Sequence, residues 1–247
     1  MTQPFSRVTV LGAGTMGHGI AYVCARAGLD TVLYDVDLSA VDDGLKLIRA
    51  QLEKAVSSGE LSAPEREEVL ARIQRSSDLA FAVQGAELVI EAAPESMDIK
   101  RGLFRLLDQR VGEDTVFSTN TSSLSITQLA TGMEHPARFI GVHFFKPVHE
   151  NELVEVAWGE ETSEVTRTLV VDFVHGIGKK PILVRDSPGF AASRLAIVQC
   201  LEAIRLVEAG VISPEGIDSA MVLGHGHPEG PLKLLDLIGL DVQLEAV

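Results

Sequence analysis

A histidine and a glutamate, His143 and Glu155, lie in two short apolar runs that could bring them together. The runs cover residues 138–145 and 153–158, and both have the composition of β-strands. The segment between them is too short for a helical crossover, so the strands are expected to be antiparallel neighbours. A loop centred between residues 148 and 149 places His143 opposite Glu155 or its neighbour, with Cβ atoms roughly 5 Å apart.

An imidazole that is hydrogen-bonded to a carboxylate can act as a general base. The carboxylate holds one tautomer of the ring and stabilises the imidazolium that forms when the ring takes a proton. The alternative is a histidine at a strand end beside a solvated glutamate. The spacing of the two residues leaves both interpretations open.

A glycine-rich turn near the N-terminus could hold the phosphates of a nucleotide. It matches the pattern G-x-G-x-x-G and consists of Gly12, Ala13, Gly14, Thr15, Met16 and Gly17. The turn follows a predicted strand at residues 8–11 and precedes a predicted helix. Gly12 permits the tight turn, Gly14 lets a pyrophosphate approach the backbone, and Gly17 lets the helix pack on the strand. The N-terminus of the helix adds N–H groups and a positive dipole.

An acid follows the second predicted strand. Asp35 comes directly after residues 31–34, where a carboxylate can accept hydrogen bonds from a ribose diol. The same carboxylate would repel a 2′-phosphate, so the pattern predicts NAD rather than NADP. A plain βαβ turn with an incidental acid is the alternative interpretation.

Strands and helices alternate along the first three quarters of the chain, which is typical of a parallel sheet flanked by helices. Ser62 and Glu65 have the spacing of a capping box and predict a helix start. Further predicted elements are helices at 38–56 and through Val165, Leu169 and Phe173, and strands at 88–90, from 116 and at 181–184. The apolar face of the helix after residue 90 is predicted to consist of Ile99, Leu103, Leu106 and Leu107.

The pattern changes to helix after Asp186. We therefore predict an α/β protein with a Rossmann-type, doubly wound and mainly parallel sheet in residues 1–186. A small all-helical C-terminal domain is expected in residues 187–247.

The composition excludes several classes of partner. The formal net charge of −14 argues against nucleic acid, because a phosphate backbone requires clustered Lys and Arg. No apolar run is long enough to span a bilayer, and no metal site is predicted. Cys24 and Cys200 are far apart in apolar helical patterns, so we expect two reduced core thiols in a cytoplasmic protein.

Several short motifs together resemble the L-3-hydroxyacyl-CoA dehydrogenase family over essentially the whole chain. The motifs are NTSS at 120–123, HFFKP at 143–147, LVEV at 153–156, SPGF at 187–190, GHPEGP at 226–231 and LDLIGLD at 235–241. The resemblance implies the reversible oxidation of an L-3-hydroxyacyl-CoA to a 3-ketoacyl-CoA with NAD. It also implies a homodimer that forms through the helical domain.

The resemblance also implies roles for individual residues. His143 would be the general base for the substrate hydroxyl and Glu155 its orienting partner. Ser122 would hydrogen-bond the substrate oxygen, and Asn120 would help to place the nicotinamide ring. Two further residues, Glu95 and Lys100, match family positions near the NAD ribose; a solvated helix start explains them equally well.

Four substitutions depart from the family pattern and bear on the substrate. Ser193 and Lys146 stand where the family has Asn, and Asn151 and Glu229 stand where it has Met. Lys146 could hold a polar or carboxylate-bearing acyl group, or it could pair with Glu229.

Two features concern CoA and the end of the chain. Lys54 and Arg49 could meet the CoA phosphates, although acidic residues follow them and solvated surface is the slightly preferred interpretation. The chain ends at Val247, where the family continues through more helix. We expect the second domain to be incomplete, to rely on a second subunit, or both.

Three functions are therefore compared. The leading one is an NAD-dependent 3-hydroxyacyl-CoA dehydrogenase, with a polar acyl group as an option. The second is an NAD-dependent dehydrogenase of a free β-hydroxy acid or sugar acid on the same scaffold. The third is a non-catalytic NAD-binding protein, which Ser193 favours and the intact Ser122, His143 and Glu155 oppose.

Overall fold

The computed structural model of the protein describes residues 3–239, and the chain divides into two compact units between Asp186 and Ser187. The first unit contains one eight-stranded sheet. Its strands are β1 (Arg7–Leu11), β2 (Asp30–Tyr34), β3 (Ile73–Ser76), β4 (Leu88–Glu91), β5 (Val116–Thr119), β6 (Phe139–Phe144), β7 (Leu153–Trp158) and β8 (Lys180–Arg185). The sheet order is β3-β2-β1-β4-β5-β6-β7-β8.

All neighbouring strands are parallel except β6 and β7, which are antiparallel. The first six strands follow the order 3-2-1-4-5-6, which is the order of a dinucleotide-binding Rossmann sheet. The predicted fold class is confirmed. The order reverses between β1 and β4, and ligands of such sheets bind at the carboxyl ends of the strands near that reversal.

Helices flank the sheet in the first unit and make up the second. In the first unit they are α1 (Gly17–Arg26), α2 (Leu38–Ser57), α3 (Ala63–Ala71), α4 (Leu79–Val83), α5 (Met97–Asp108), α6 (Ile126–Ala130) and α7 (Glu164–Gly176). The predicted capping box is confirmed, because Ser62 and Glu65 exchange hydrogen bonds at the start of α3. Cys24 is fully buried in α1.

The register of the β6–β7 hairpin pairs His143 with Glu155 and Val142 with Val156. The prediction that His143 faces Glu155 or its neighbour is therefore confirmed. The loop is centred on residue 149, half a residue beyond the expected position. This register is what brings the imidazole and the carboxylate to the same face of the sheet.

The apolar face predicted for α5 is only partly confirmed, because Leu107 is buried and Leu103 half-buried but the other two residues are not. Ile99 is 52% exposed and Leu106 is also exposed, whereas the buried side chains include Lys100, Phe104 and Leu107. Lys100 lies on the buried face of α5, and part of the predicted apolar face lies in solvent. Three short elements, β3, α4 and α6, were not predicted either; each has only four or five residues.

The second unit consists of α8 (Ala192–Glu208), α9 (Pro214–Ser219), a π-helical turn (Ala220–Gly224) and α10 (Pro231–Ile238). Its buried side chains include Cys200, Ile217 and Leu235. Asp218 accepts hydrogen bonds from the first N–H groups of α10, at 2.9 and 3.0 Å. Leu240 and Asp241, the end of the last family motif, lie outside the described residues.

Within residues 3–239, none of the helices combines the length and the apolar character needed to cross a membrane. Over the same residues there is no group of three or more His, Cys, Asp and Glu side chains that could hold a metal ion.

Candidate active site

One edge of the sheet collects the residues that could do chemistry. Because β1, β2, β4, β5 and β6 are mutually parallel, their carboxyl ends share that edge. The glycine turn follows β1 and Asp35 follows β2. Asn120 follows β5, and His143 lies near the end of β6. The topology thus brings together candidates from four separate stretches of sequence.

The three glycines of the motif differ in how much space a side chain would have at each position. Gly12 has a φ of +101°, and a Cβ there would lie 2.5 Å from the Ala92 carbonyl oxygen. A Cβ on Gly17 would lie 1.7 Å from the Gly12 oxygen, so α1 can pack against the turn only without a side chain. At Gly14 an added Cβ would meet nothing within 4 Å. That open space is where a pyrophosphate could approach the backbone.

The start of α1 suits an anion. Its N-cap residue, Met16, makes no side-chain capping hydrogen bond, and Gly14 and Thr15 are exposed before it. Backbone N–H groups at such an end, together with the helix dipole, favour bound phosphate. The residues present therefore fit a dinucleotide.

Asp35 is fixed beside the turn. One carboxylate oxygen accepts a hydrogen bond from the Ala13 N–H at 2.9 Å, and the other accepts from the Asp37 N–H at 3.3 Å. The Gly12 N–H also donates to the Tyr34 carbonyl, which joins the turn to the end of β2. The carboxylate is half-buried at the end of the strand, as the predicted ribose contact requires.

His143 and Glu155 form a buried pair. The His143 Nδ1 lies 2.8 Å from a Glu155 carboxylate oxygen, with His143 7% exposed and Glu155 0% exposed. An ionised carboxylate can only accept, so Nδ1 carries the proton and the lone pair of the neutral ring resides on Nε2. The interpretation of Glu155 as a solvated residue is wrong.

Asn120 links the ends of neighbouring strands. Its side-chain oxygen accepts a hydrogen bond from the Phe144 backbone N–H at 2.9 Å. Its backbone N–H donates to the Glu91 carbonyl at 2.8 Å. Ser122 follows two residues later and is half-buried. The loop that carries Ser122 therefore starts from a fixed point next to the strand that carries His143.

Lys100 is buried, whereas Glu95 is exposed. Lys100 is 1% exposed, and its ammonium contacts Glu91 Oε1 at 2.6 Å, the Ala93 carbonyl at 3.2 Å and Glu95 Oε2 at 3.3 Å. These three oxygens match the three protons of the ammonium. The solvated interpretation of Lys100 is therefore wrong.

Glu91, at the end of β4, is fully buried beneath this cluster. Its second oxygen accepts from the Thr119 hydroxyl at 2.6 Å, and its first also accepts from the Ala93 N–H at 2.6 Å. Burial raises the pKa of Glu91 above its ordinary value, while the Lys100 ammonium acts in the opposite direction. The ionised state of this carboxylate therefore depends on Lys100.

The β6–β7 loop is held from two sides. The Lys179 ammonium is buried and donates to the carbonyls of Val148 and Asn151, both at 2.6 Å. On the other side Val148 packs on Gly19 of α1, where a Cβ would lie 2.9 Å from the valine Cβ. Lys146 lies exposed in this loop, directly after the strand of His143. Burial lowers the pKa of Lys179.

The remaining predicted substrate residues lie apart from this cluster or in the second unit. Lys54 is exposed in the last turn of α2, about 24 Å along the axis from the helix start. Among the described residues neither Lys54 nor Arg49 forms an ion pair. Ser193 is half-buried in α8, and Glu229 pairs with Lys233 at 2.7 Å within the second unit.

Three residues that shape the site were not found from the sequence: Gly19, Glu91 and Lys179. Gly19 is a glycine in the first turn of α1, and its position just after the motif was a usable signal. Glu91 closes an apolar strand, but a carboxylate at a strand end is ordinarily exposed, so nothing in the sequence indicated its burial. Lys179 precedes another lysine in a turn, and nothing local distinguishes it from surface.

A dehydrogenase needs a hydride acceptor and a proton acceptor at one place, and here a dinucleotide turn and an imidazole base share one sheet edge. The fold and the site thus define an NAD-dependent dehydrogenase. Sequence models of the 3-hydroxyacyl-CoA dehydrogenase NAD-binding and C-terminal domains match residues 7–187 and 189–247. The chain belongs to the 3-hydroxyacyl-CoA dehydrogenase family. The cofactor and enzyme class expected from the sequence are confirmed.

Individual relatives agree with this assignment. The chain is 42% identical to a 3-hydroxybutyryl-CoA dehydrogenase of Clostridioides difficile, over 96% of this chain and 84% of the relative. It is similar to the crystal structure of (S)-3-hydroxybutyryl-CoA dehydrogenase from Ralstonia eutropha, with a TM-score of 0.94 and 40% identity. The match covers 98% of this chain and 85% of that one. It is also similar to the structure of an NAD⁺-dependent 5-formyl-3-hydroxy-2-methylpyridine 4-carboxylic acid 5-dehydrogenase, with a TM-score of 0.81 and 34% identity. That match covers 98% of this chain and 78% of the other.

Proposed function

We propose that the protein catalyses the reversible oxidation of an L-3-hydroxyacyl-CoA to the 3-ketoacyl-CoA. The observation that carries this proposal is the buried hydrogen bond of 2.8 Å between His143 and Glu155, on the sheet edge that holds the glycine turn. Family membership supplies the substrate class.

In this proposal His143 accepts the proton of the substrate hydroxyl on Nε2. Glu155 holds the ring in that tautomer and stabilises the imidazolium. Bound NAD supplies the acceptor for the hydride that leaves C3. Ser122 donates a hydrogen bond to the reacting oxygen, and Asn120 helps to place the nicotinamide. In the reverse direction the His143 imidazolium returns its proton to the oxygen.

The cofactor would be held by the backbone of the turn, Gly12, Ala13, Gly14, Thr15, Met16 and Gly17. Asp35 would accept hydrogen bonds from the ribose diol. The hydrogen bond from the Ala13 N–H supports this role, because it fixes the carboxylate beside the turn.

The test is oxidation of NADH in the presence of acetoacetyl-CoA, with acetoacetate as the matched control without CoA. We expect turnover with the thioester, inhibition by free CoA, and little turnover with acetoacetate. Absence of turnover with every 3-keto substrate would contradict the proposal and favour a non-catalytic NAD-binding protein.

A second candidate is a dehydrogenase of a free acid. Its support is the likeness to the pyridine carboxylic acid dehydrogenase, together with the low density of basic residues around Lys54 and Arg49, which acidic residues follow in the sequence. Faster turnover of a free β-hydroxy acid than of its CoA thioester would establish this alternative.

We further propose that the preferred acyl group is polar. Lys146 is exposed in the loop after the catalytic strand, so a carboxylate on the acyl group could meet its ammonium, whereas an aliphatic chain there would displace the water around the charge. A 3-hydroxydicarboxylyl-CoA should then have a higher kcat/KM than 3-hydroxybutyryl-CoA. Lys146→Asn should abolish that preference, and Lys46→Asn on α2 should not. Ser193→Asn should raise activity on simple acyl substrates by restoring the family's longer amide.

A preference that rises steadily with the length of an unbranched acyl chain would contradict the polar-substrate proposal. That result would leave the dehydrogenase assignment intact, because His143 and Glu155 do not depend on the acyl end.

We also propose a homodimer in the cytoplasm. The second unit exposes large apolar side chains, including Leu195, Val198 and Leu223, which supports a subunit interface on that unit. The two buried free cysteines suit a reducing compartment. Sedimentation at micromolar concentration should give the mass of two chains, and a monomer would contradict the dimer.

A further inference from the structure

Two adjacent lysines reach the β6–β7 loop in different ways. Lys180 is exposed and pairs with the exposed Glu152 at 2.5 Å. Lys179 is only 7% exposed, and its ammonium donates to the carbonyls of Val148 and Asn151, both at 2.6 Å. A buried lysine ordinarily has a carboxylate partner, whereas both of these partners are backbone carbonyls. The buried charge of Lys179 therefore serves the backbone of this loop.

The two carbonyls belong to one turn of the loop. Within it the N–H groups of Glu150 and Asn151 donate to the Pro147 carbonyl, at 3.1 and 2.9 Å. Lys179 binds the turn at Val148 and again at Asn151, three residues later. A single cation thus fixes the shape of the turn from outside it.

On one side the turn packs against α1. Val148 lies on Gly19, where an added Cβ would be 2.9 Å from the valine Cβ. The next side chain, His149, meets the ring of Tyr22 edge-on, with the ring centroids 6.0 Å apart. Gly19 lies in the first turn of α1, so the loop contacts the helix end that suits a pyrophosphate.

On the other side the loop continues the strand of the proposed base. Phe145 is the first residue after β6, and its ring centroid lies 4.4 Å from that of His143. The loop therefore joins the imidazole to the start of the cofactor helix, and Lys179 holds the turn through which they are joined.

We infer that Lys179 is a positioning residue, which holds the β6–β7 loop so that the start of α1 and His143 keep a fixed separation. The inference rests on the proposed function, in which that separation sets the distance from the cofactor to the base. Without the ammonium two buried carbonyls lose their donor, and the loop must move to find another. A misplacement of about 1 Å can lower a rate by about 10²-fold.

The first measurement does not depend on activity. Hydrogen exchange of peptides covering residues 146–152 is compared in the unmutated protein, Lys179→Met and Lys180→Met. Methionine fills most of the volume of lysine without its charge. Lys180→Met is the matched control, because an exposed ion pair contributes little to stability.

We expect Lys179→Met to speed exchange in this loop by about 10-fold or more, and Lys180→Met to change it by less than about 3-fold. Peptides covering residues 139–144 should keep their protection in both variants, which would show that the strand of His143 stays paired. Unchanged exchange of residues 146–152 in Lys179→Met would overturn the inference.

The second measurement is a double-mutant cycle of Lys179→Met with Gly19→Ala, using acetoacetyl-CoA and NADH. Gly19→Ala displaces Val148 from the side of α1 and leaves Lys179 in place. Gly102→Ala on α5 is its control, because a Cβ there would meet nothing within 4 Å.

Lys179→Met and Gly19→Ala should each lower kcat per bound NADH by about 10-fold. Because both act on one contact, the second substitution should lower kcat by less than about 3-fold in the background of the first. If Lys179 served stability alone, Lys179→Met would reduce the amount of folded protein and leave kcat per bound NADH unchanged. That result would overturn the inference.

Two further results separate failure of this inference from failure of the proposed function. Multiplicative effects of Lys179→Met and Gly19→Ala, with turnover intact in the unmutated protein, would overturn the inference and leave the dehydrogenase assignment standing. Absence of turnover with every 3-keto substrate in the unmutated protein would instead contradict the proposed function, and the positioning role of Lys179 together with it.

Discussion

The glycine turn and the β6–β7 hairpin place their functional groups by opposite means. In the turn, Gly12 and Gly17 work by lacking a side chain, because backbone atoms lie within 2.5 Å and 1.7 Å of where a Cβ would be. In the hairpin, His143 and Glu155 work through side chains that register and burial bring to 2.8 Å. In the proposed mechanism the first region binds the cofactor, and the second carries the proton chemistry.

Because of this difference, substitutions in the two regions should have different effects on turnover and on cofactor binding. A change in the hairpin should remove chemistry and keep cofactor binding. A change in the turn should weaken cofactor binding and keep the base. Separate measurements of turnover and NADH affinity distinguish these two outcomes.

The largest effect is expected for His143→Gln. Glutamine fits the position but cannot take a proton at neutral pH, so turnover should fall by about 10²- to 10⁴-fold while the Kd of NADH stays nearly unchanged. His175→Gln, an exposed histidine on α7, is the control and should retain activity. Unchanged turnover in His143→Gln would remove this residue from the mechanism.

A smaller loss is expected for Glu155→Gln. The neutral amide keeps the shape of the carboxylate but no longer provides a counter-charge for the imidazolium, so kcat should fall by about 10- to 10²-fold. Steady-state kinetics and NADH titration measure the two effects. The comparison of the two regions would fail if NADH affinity fell as much as kcat.

The turn itself is tested by a pair of glycine variants. Gly17→Ala forces a Cβ into the Gly12 carbonyl and should lower the free energy of unfolding by about 1–3 kcal/mol. Gly14→Ala meets no atom within 4 Å and should leave the unfolding free energy unchanged, yet still weaken NADH binding. Urea denaturation and NADH titration are the measurements. Equal stability losses in both variants would contradict the steric account.

The smallest effect in this series concerns cofactor choice. Asp35 should repel the 2′-phosphate of NADPH, so Asp35→Ser should relieve a strong preference for NADH. The kcat/KM values for both cofactors measure the change. Equal efficiency with the two cofactors in the unmutated protein would show that Asp35 does not contact the ribose.

Steric and periodic features could be predicted from the sequence. The glycine turn has a fixed spacing, and the hairpin register follows from the short loop between β6 and β7. The strand pattern was sufficient for the fold class. The expected centre of that loop also predicted the pairing of His143 with Glu155 to within one residue.

Buried charge could not be predicted. Sequence periodicity treats lysine as a surface residue, so a solvated position was left open for Lys100 and the buried face of α5 was partly misplaced. The partners that make its burial possible, Glu91 and the Ala93 carbonyl, meet it only in the folded chain. Lys179 was missed for the same reason. The shortest elements, β3, α4 and α6, carry too few residues to show a period.

The most direct test of the central claim is a crystal structure of the protein with NAD and acetoacetyl-CoA. The account predicts that the 3-keto oxygen lies within about 3.2 Å of both His143 Nε2 and Ser122 Oγ. It also predicts the nicotinamide ring against C3 and the pyrophosphate at Gly14. A ternary complex in which the 3-keto oxygen lies out of reach of His143, with the nicotinamide beside C3, would contradict the account.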